Sequence, residues 1–202
     1  MIKFNGVFIQ YVQEFYSLYD CNLKIDKHTI LVEKNLCGCS AVMRVLSQID
    51  KHYTGEIFVD DINLKNIKDK DLSIAYLPEN PVLFKNKSLK YNLSFPLKIR
   101  KMNKKLIENQ INSIFFEYNL TNFEKKTKKL NLSEQKIIAL LRTFVRRPKY
   151  VLLENFFENL DKNYYELAIK ILNKMKENSI VIACENDFKK HEIFKDFEQV
   201  EV

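Results

Sequence analysis

The first half of the chain alternates short β-rich runs with helical ones. Residues 2–12 and 21–25 read as strands, and Thr29-Ile30-Leu31-Val32 reads as a buried strand. That strand runs into Glu33-Lys34-Asn35-Leu36-Cys37-Gly38-Cys39-Ser40 and then into Ala41-Val42-Met43-Arg44-Val45-Leu46, whose apolar spacing suits a helix. Strand, loop and helix in this order is the arrangement of a phosphate loop. Strand-like runs follow at 55–61 and 74–77, and Pro78-Glu79-Asn80-Pro81 is a loop signal. From 89 to about 129 the pattern is helical and Lys-rich. It continues through 133–145, where Ile137, Ile138, Leu140, Leu141 and Phe144 form an apolar stripe. Two apolar strands, 150–153 and 179–183, flank an amphipathic helix at 163–176. Fully apolar strands joined by helices predict an α/β fold with a mainly parallel sheet covered on both faces.

With 202 residues, 46% of them hydrophobic, the chain has the material for one domain with a substantial core. The net charge is +7. Basic residues cluster at Lys98, Arg100, Lys101, Lys104 and Lys105, and again at Lys125, Lys126, Lys128 and Lys129. Neither cluster has the aromatic interleaving of a single-strand-binding groove, so nucleic acid is not the expected partner and solvated Lys-rich faces are. No apolar run approaches the roughly 20 residues that cross a bilayer, and no secretory leader is evident. The expected location is therefore the cytoplasm. Cys21, Cys37, Cys39 and Cys184 are too few and too irregular for a disulfide framework, so reduced thiols are expected.

Several stretches match, in order, the motifs of ATP-binding cassette (ABC) ATPases, and the chain resembles the ATP-binding domain of an ABC transporter over nearly its whole length. Glu33 to Ser40 stands where the family has G-P-N-G-x-G-K-S: Asn35, Gly38 and Ser40 survive, Glu33 and Leu36 replace glycines, and Cys39 replaces the lysine. Tyr76-Leu77-Pro78-Glu79-Asn80-Pro81 resembles the glutamine loop, with Glu79 in place of the glutamine. Phe95-Pro96-Leu97-Lys98 resembles the helical subdomain of importer-type members. Leu130-Asn131-Leu132-Ser133-Glu134 stands in for the L-S-G-G-Q signature, without its glycines, ahead of a retained helix. Tyr150-Val151-Leu152-Leu153-Glu154-Asn155 is similar to the Walker B strand: Glu154 replaces the magnesium-associated aspartate and Asn155 the catalytic glutamate. Leu160-Asp161 keeps the end of the D-loop, and Glu185 replaces the switch histidine.

The resemblance implies a P-loop NTPase-like core with a mainly parallel sheet, an N-terminal antiparallel β subdomain and an inserted helical subdomain. In that reading 1–202 is a single ABC ATPase-like domain, with helices at about 85–145 inserted in a RecA-like core. ATP would lie against Asn35, Leu36, Cys37, Gly38, Cys39, Ser40 and Ala41, with Tyr11 as an aromatic that stacks on adenine or serves the core. Magnesium would be held by Ser40 and Glu154. The catalytic positions are all replaced, at Glu79, Glu154, Asn155 and Glu185. The partners implied are transmembrane transporter subunits and a second ABC ATPase in a homo- or heterodimer, at the cytoplasmic face of the membrane.

The substitutions act on known physical steps. A phosphate loop aims backbone N–H groups and a lysine at phosphate oxygens, and its glycines permit the necessary dihedrals. Cys39 is neutral and short, and Leu36 reshapes the turn. Loss of a charged partner for a desolvated charge costs on the order of 2–5 kcal/mol, tens- to thousands-fold in affinity. Asn155 accepts no proton at neutral pH, and Glu185 repels a γ-phosphate. Binding of ATP and magnesium is thus expected to be weakened and hydrolysis impaired, giving a noncatalytic or regulatory subunit. For Ser40 the favoured reading is a cap of the helix it begins, which requires no nucleotide. Cys37 and Cys39 with Cys184 offer soft metal ligands, although cysteine as a small apolar filler is the simpler reading. Two alternatives stay open: a cytosolic ABC-type protein that binds nucleic acid, and an active ATPase with unusual motif residues.

Overall fold

The computed structural model describes residues 1–12, 15–33, 38–68, 71–121 and 124–202; at 11, 12, 15 and 16 it describes the backbone. The chain divides into two compact units, one built from 1–76, 149–155 and 179–202, the other from 77–148 and 156–178.

The first unit contains two sheets. Strands β1 (Ile2–Val12), β2 (Phe15–Ile25), β4 (Thr54–Val59) and β5 (Ile62–Asn63) form a sheet in the order β2-β1-β4-β5, antiparallel throughout. The second sheet has the order β6-β7-β8-β3-β9, from β3 (Thr29–Val32), β6 (Ile74–Leu77), β7 (Tyr150–Glu154), β8 (Ile180–Cys184) and β9 (Glu198–Glu201). Its β7/β8, β3/β8 and β3/β9 pairs are parallel. The expected antiparallel N-terminal sheet and mainly parallel core sheet are both present.

Helix α1 (Gly38–Leu46) joins the two sheets into one core. Seven of its residues are buried: Gly38, Cys39, Ala41, Val42, Met43, Val45 and Leu46. A helix apolar almost all round is stable only when enclosed. Here it packs in one hydrophobic cluster with Ile2, Phe4 and Ile9 of β1, Ile57 of β4, and Tyr150 and Leu152 of β7.

The second unit is helical: α2 (Leu89–Ile99), α3 (Lys104–Glu117), α4 (Leu132–Arg146) and α5 (Lys162–Lys176). Helix α2 packs on α3 and α4, and α4 on α5. A capping box starts α4: the Asn131 side chain accepts from the Glu134 N–H, and Glu134 accepts from the Asn131 N–H, both at 2.8 Å. No helix among the described residues is long and apolar enough to cross a membrane.

Some boundaries differ from the pattern. The second strand begins at Phe15 rather than 21, and α1 begins at Gly38 rather than 41. The continuous helical stretch expected over 89–129 is two helices and a short 3-10 turn at Thr127–Lys129.

Asp60 ties strand ends of the first unit together. It accepts from the Met1 ammonium, the Lys149 ammonium and the Tyr150 hydroxyl, each at 2.7 Å. Burial alone would raise its pKa, but the bonds from Lys149, Met1 and Tyr150 together hold it down at about 2. A folded pKa below the unfolded value of about 3.9 stabilises the fold above that value, and the stabilisation is lost as pH falls from about 4 towards 2. The Asp60 side chain is 36% exposed, so solvent screening keeps the effect to about 1 kcal/mol or less. Urea midpoints measured at pH 4.5 and 2.5 should fall for the native chain and fall less for Asp60→Asn.

Candidate functional site

Four strand ends and one helix start build the site in the first unit. Strand β3 delivers Glu33, α1 begins with Gly38, Cys39 and Ser40, β6 carries Tyr76, β7 ends at Glu154, and β8 ends at Cys184. In a parallel sheet the carboxyl ends of the strands share one edge, and a helix N-terminus placed there presents N–H groups to an anion.

At this helix start the anion is part of the chain. Glu33 Oε1 accepts from the Cys39 N–H at 3.3 Å. Gly38 is buried there, and a Cβ on it would stand 3.2 Å from the Val202 carbonyl, so a side chain would press on backbone. The Cys39 thiol is fully buried, and its pKa is pushed up by the adjacent Cys184, by burial and by the carboxylates of Glu33 and Glu154. Each of these groups disfavours a thiolate. One ligand atom each from Glu33, Cys39 and Cys184 lies within 4.8 Å of the others.

The second cluster centres on Glu154. The Ser40 hydroxyl donates to Glu154 Oε1 at 2.5 Å, and the Tyr76 hydroxyl donates to Oε2. Burial, then the bond to Glu154, raises the Tyr76 pKa, so the phenol remains a donor. This arrangement corrects the expectation that Ser40 caps its helix. Ser40 lies inside α1, and its hydroxyl is turned to a carboxylate across the sheet edge rather than to the helix's own N–H groups. Both oxygen donors expected for magnesium are thus adjacent, but the carboxylate already accepts a bond on each oxygen.

Asn155 follows Glu154 with a φ of 42°, and its N–H donates to the Cys184 carbonyl at 2.8 Å. Its Oδ1 accepts from the Asn186 N–H at 3.3 Å, so the amide bridges the ends of β7 and β8. Glu185 is buried, 6% exposed. Ala41 is fully buried in α1. Glu79 belongs to the second unit, half-buried in the segment after β6. Asn35, Leu36 and Cys37 lie outside the described residues, as does the Tyr11 side chain.

In the second unit the segment that resembles the signature is fastened in place. Ser133 Oγ accepts from the Asp161 N–H at 2.9 Å. Lys136 is 1% exposed, and its ammonium donates to the carbonyls of Phe156, at 3.0 Å, and Glu158, at 2.5 Å.

The sequence pattern singled out Glu33, Ser40, Glu154, Asn155 and Cys184, and these do meet at one sheet edge. It gave no role to Tyr76. The available signal was its place at the end of a strand immediately before the Pro78 loop.

Comparisons with known proteins agree with this architecture. Residues 18–157 match the ABC transporter family. A molybdate/tungstate import ATP-binding protein, WtpC, of Methanocaldococcus jannaschii is 25% identical over 178 residues, covering 87% of this chain and 59% of that protein. An sn-glycerol-3-phosphate import ATP-binding protein, UgpC, of Bartonella bacilliformis is 26% identical over 155 residues, covering 75% and 45%. The chain spans about half the length of such curated relatives. Among solved structures, the dimeric post-hydrolysis state of the ATP-binding cassette MJ0796 bound to ADP and Pi superposes with a TM-score of 0.81 at 19% identity, covering 96% of this chain and 91% of that one. A bacterial Atm1-family ABC exporter with ATP bound gives 0.82 at 16% identity, covering all of this chain and 36% of that one. Both structural likenesses speak to the fold. The family match covers well over half of the residues, and the chain belongs to the ABC transporter family as an ATP-binding cassette domain.

Proposed function

We propose that residues 1–202 act as one ABC ATPase-like domain, with a helical subdomain at about 85–145 inserted in its core, serving as the cytoplasmic subunit of a membrane transporter. It docks on transmembrane subunits and pairs with a second ABC ATPase, as a homo- or heterodimer. The import proteins among its relatives favour an importer-type assembly. Within that assembly the chain is a noncatalytic or regulatory subunit whose ATP and magnesium binding is weakened.

The observation that carries this reading is the Glu33 carboxylate on the Cys39 N–H. A phosphate oxygen bound at the start of α1 needs that donor, and it meets a carboxylate there instead of a lysine ammonium. Residues 35–41 would still surround a triphosphate, and Tyr11 would flank the base. Ser40 and Glu154 would hold magnesium only after giving up their mutual bond and the bond from Tyr76. Magnesium prefers octahedral oxygen ligands and keeps several waters, so a single serine and carboxylate are a possible but weak anchor. Asn155, engaged with Cys184 and Asn186, offers no base for water.

Calorimetric titration of the full chain with magnesium-ATP tests the reading. Native protein should bind weakly. Glu33→Ala, which frees the N–H and removes a like charge, should tighten binding by about tenfold, a change of about 1.4 kcal/mol. Tight binding that is indifferent to Glu33→Ala would overturn it.

A further inference from the structure

The replacement of a phosphate-binding lysine by cysteine does more than remove a positive charge. It places a thiol at the helix start, facing a second thiol and a carboxylate. Cys39 is fully buried and Cys184 is 8% exposed, whereas Glu33 opens to solvent. Their ligand atoms already lie within 4.8 Å of one another. In a tetrahedral zinc site, with Zn–S about 2.3 Å and Zn–O about 2.0–2.2 Å, neighbouring ligand atoms are about 3.5–3.8 Å apart. The three side chains therefore need to close by about an ångström or less, a shift within reach of rotamer adjustment of an exposed glutamate.

The charges favour the same occupant. The carboxylates of Glu33 and Glu154 both act on the Cys39 thiol. A cluster of two thiols beside two carboxylates repels a polyanion and attracts a cation. Thiolates select soft or borderline cations over magnesium, which takes oxygen ligands.

We propose that Glu33, Cys39 and Cys184 form a binding site for a thiophilic divalent cation, with zinc as the representative ion. Three protein ligands leave the fourth position to solvent on the Glu33 side, as in open zinc sites. Binding replaces two thiol protons by the metal, and those protons leave to solvent; no electron is transferred. Cys37 lies outside the described residues, and the proposal uses Glu33, Cys39 and Cys184 alone. The site does not depend on the transporter reading, since it uses no nucleotide and no partner.

The test uses the full chain, reduced and stripped of metal by a chelator. Zinc alone is titrated in competition with a chromophoric chelator, and cobalt(II) is added separately as a spectroscopic probe. The native chain should take up one equivalent of zinc, and its cobalt form should show thiolate-to-cobalt charge-transfer absorption in the near ultraviolet. Cys39→Ser and Cys184→Ser should each lower zinc affinity at least 100-fold and abolish that absorption. Glu33→Gln, at an exposed position that does not threaten folding, should lower affinity about tenfold and keep the absorption. Circular dichroism of the metal-free variants separates loss of a ligand from loss of the fold. No stoichiometric zinc uptake by the reduced native chain would overturn the proposal, as would uptake unchanged in both cysteine variants. A Cys39–Cys184 disulfide that forms in air, paired with failure of the reduced chain to bind zinc, would overturn it in favour of a redox pair.

Discussion

Replacing Lys136 with methionine should lower the unfolding free energy by about 3–5 kcal/mol. Methionine keeps the volume and the straight aliphatic stem, so the change isolates the ammonium. That ammonium is buried in the second unit and donates to the carbonyls of Phe156 and Glu158. Each hydrogen bond from a charged donor is worth about 1.5–3 kcal/mol, and its carbonyl partner loses a donor as well. For a chain of this size a loss of 1 kcal/mol lowers Tm by about 2–4 °C, so a fall of roughly 6–20 °C is expected. Lys174→Met is the contrasting control. Its bond to Glu117 involves side chains that are 42% and 35% exposed, and screening leaves such a pair worth about 1 kcal/mol or less. Lys136 also fastens the start of α4 to the segment after β7. If Lys136→Met and Lys174→Met melt together, the buried ammonium has been overvalued.

Gly55→Ala should be comparably severe, for a different reason. Strand β1 pairs with β4 through Asn5↔Glu56 and Phe8↔Thr54, with a register shift between. At that shift Gly55 has φ +82°, and a Cβ would lie 2.1 Å from the Gly6 carbonyl oxygen. Two backbones meet where no side chain fits. The left-handed dihedral costs alanine roughly 1–2 kcal/mol, and forcing the strands apart roughly 1–3 more. The expected loss is about 2–5 kcal/mol, read from a urea or thermal midpoint. Gly6→Ala should cost only about 1 kcal/mol, since its Cβ would meet Asp20 Oδ1 at 3.6 Å and the penalty is its φ of +53° alone. Equal effects at the two glycines would contradict the close approach at Gly55.

These two residues also mark where the sequence was hard to read. Strands β3, β7 and β8 were legible because they are continuous apolar runs, buried on both sides of a sheet, and such runs have few other uses. Helix α4 was legible from its 3.6-residue stripe. Strand β9 was not: Glu198–Glu201 is mostly exposed at the sheet edge, so no burial pattern marks it. Lys136 lies beside that apolar stripe and looks like a solvated lysine until the carbonyls of a distant segment are placed over it. Periodicity locates a face but does not show which backbone groups converge on it.

The site was legible in a similar proportion. The family resemblance, by assigning Ser40 and Glu154 to magnesium, paired two side chains that the structure places in contact. The bond that joins them was not foreseen, because a serine near a helix start is ordinarily a cap and only tertiary geometry turns it elsewhere. The approach of Cys39 and Cys184 was readable from the fold that the resemblance implies, and the sheet order, with β3 beside β8, agrees with it. The carboxylate of Glu33 on the helix N-terminus was the least accessible feature, since a side chain's choice of hydrogen-bond donor leaves no mark on sequence pattern.

The central question is whether this ABC domain, in which Cys39, Glu154, Asn155 and Glu185 are proposed to stand at the ATP-handling positions, hydrolyses ATP. Steady-state phosphate release from magnesium-ATP by the full chain decides this, measured beside Ser40→Ala and Asn155→Ala. Release at the background rate, identical in all three proteins, is expected. Robust turnover by the native chain that either substitution abolishes would contradict it.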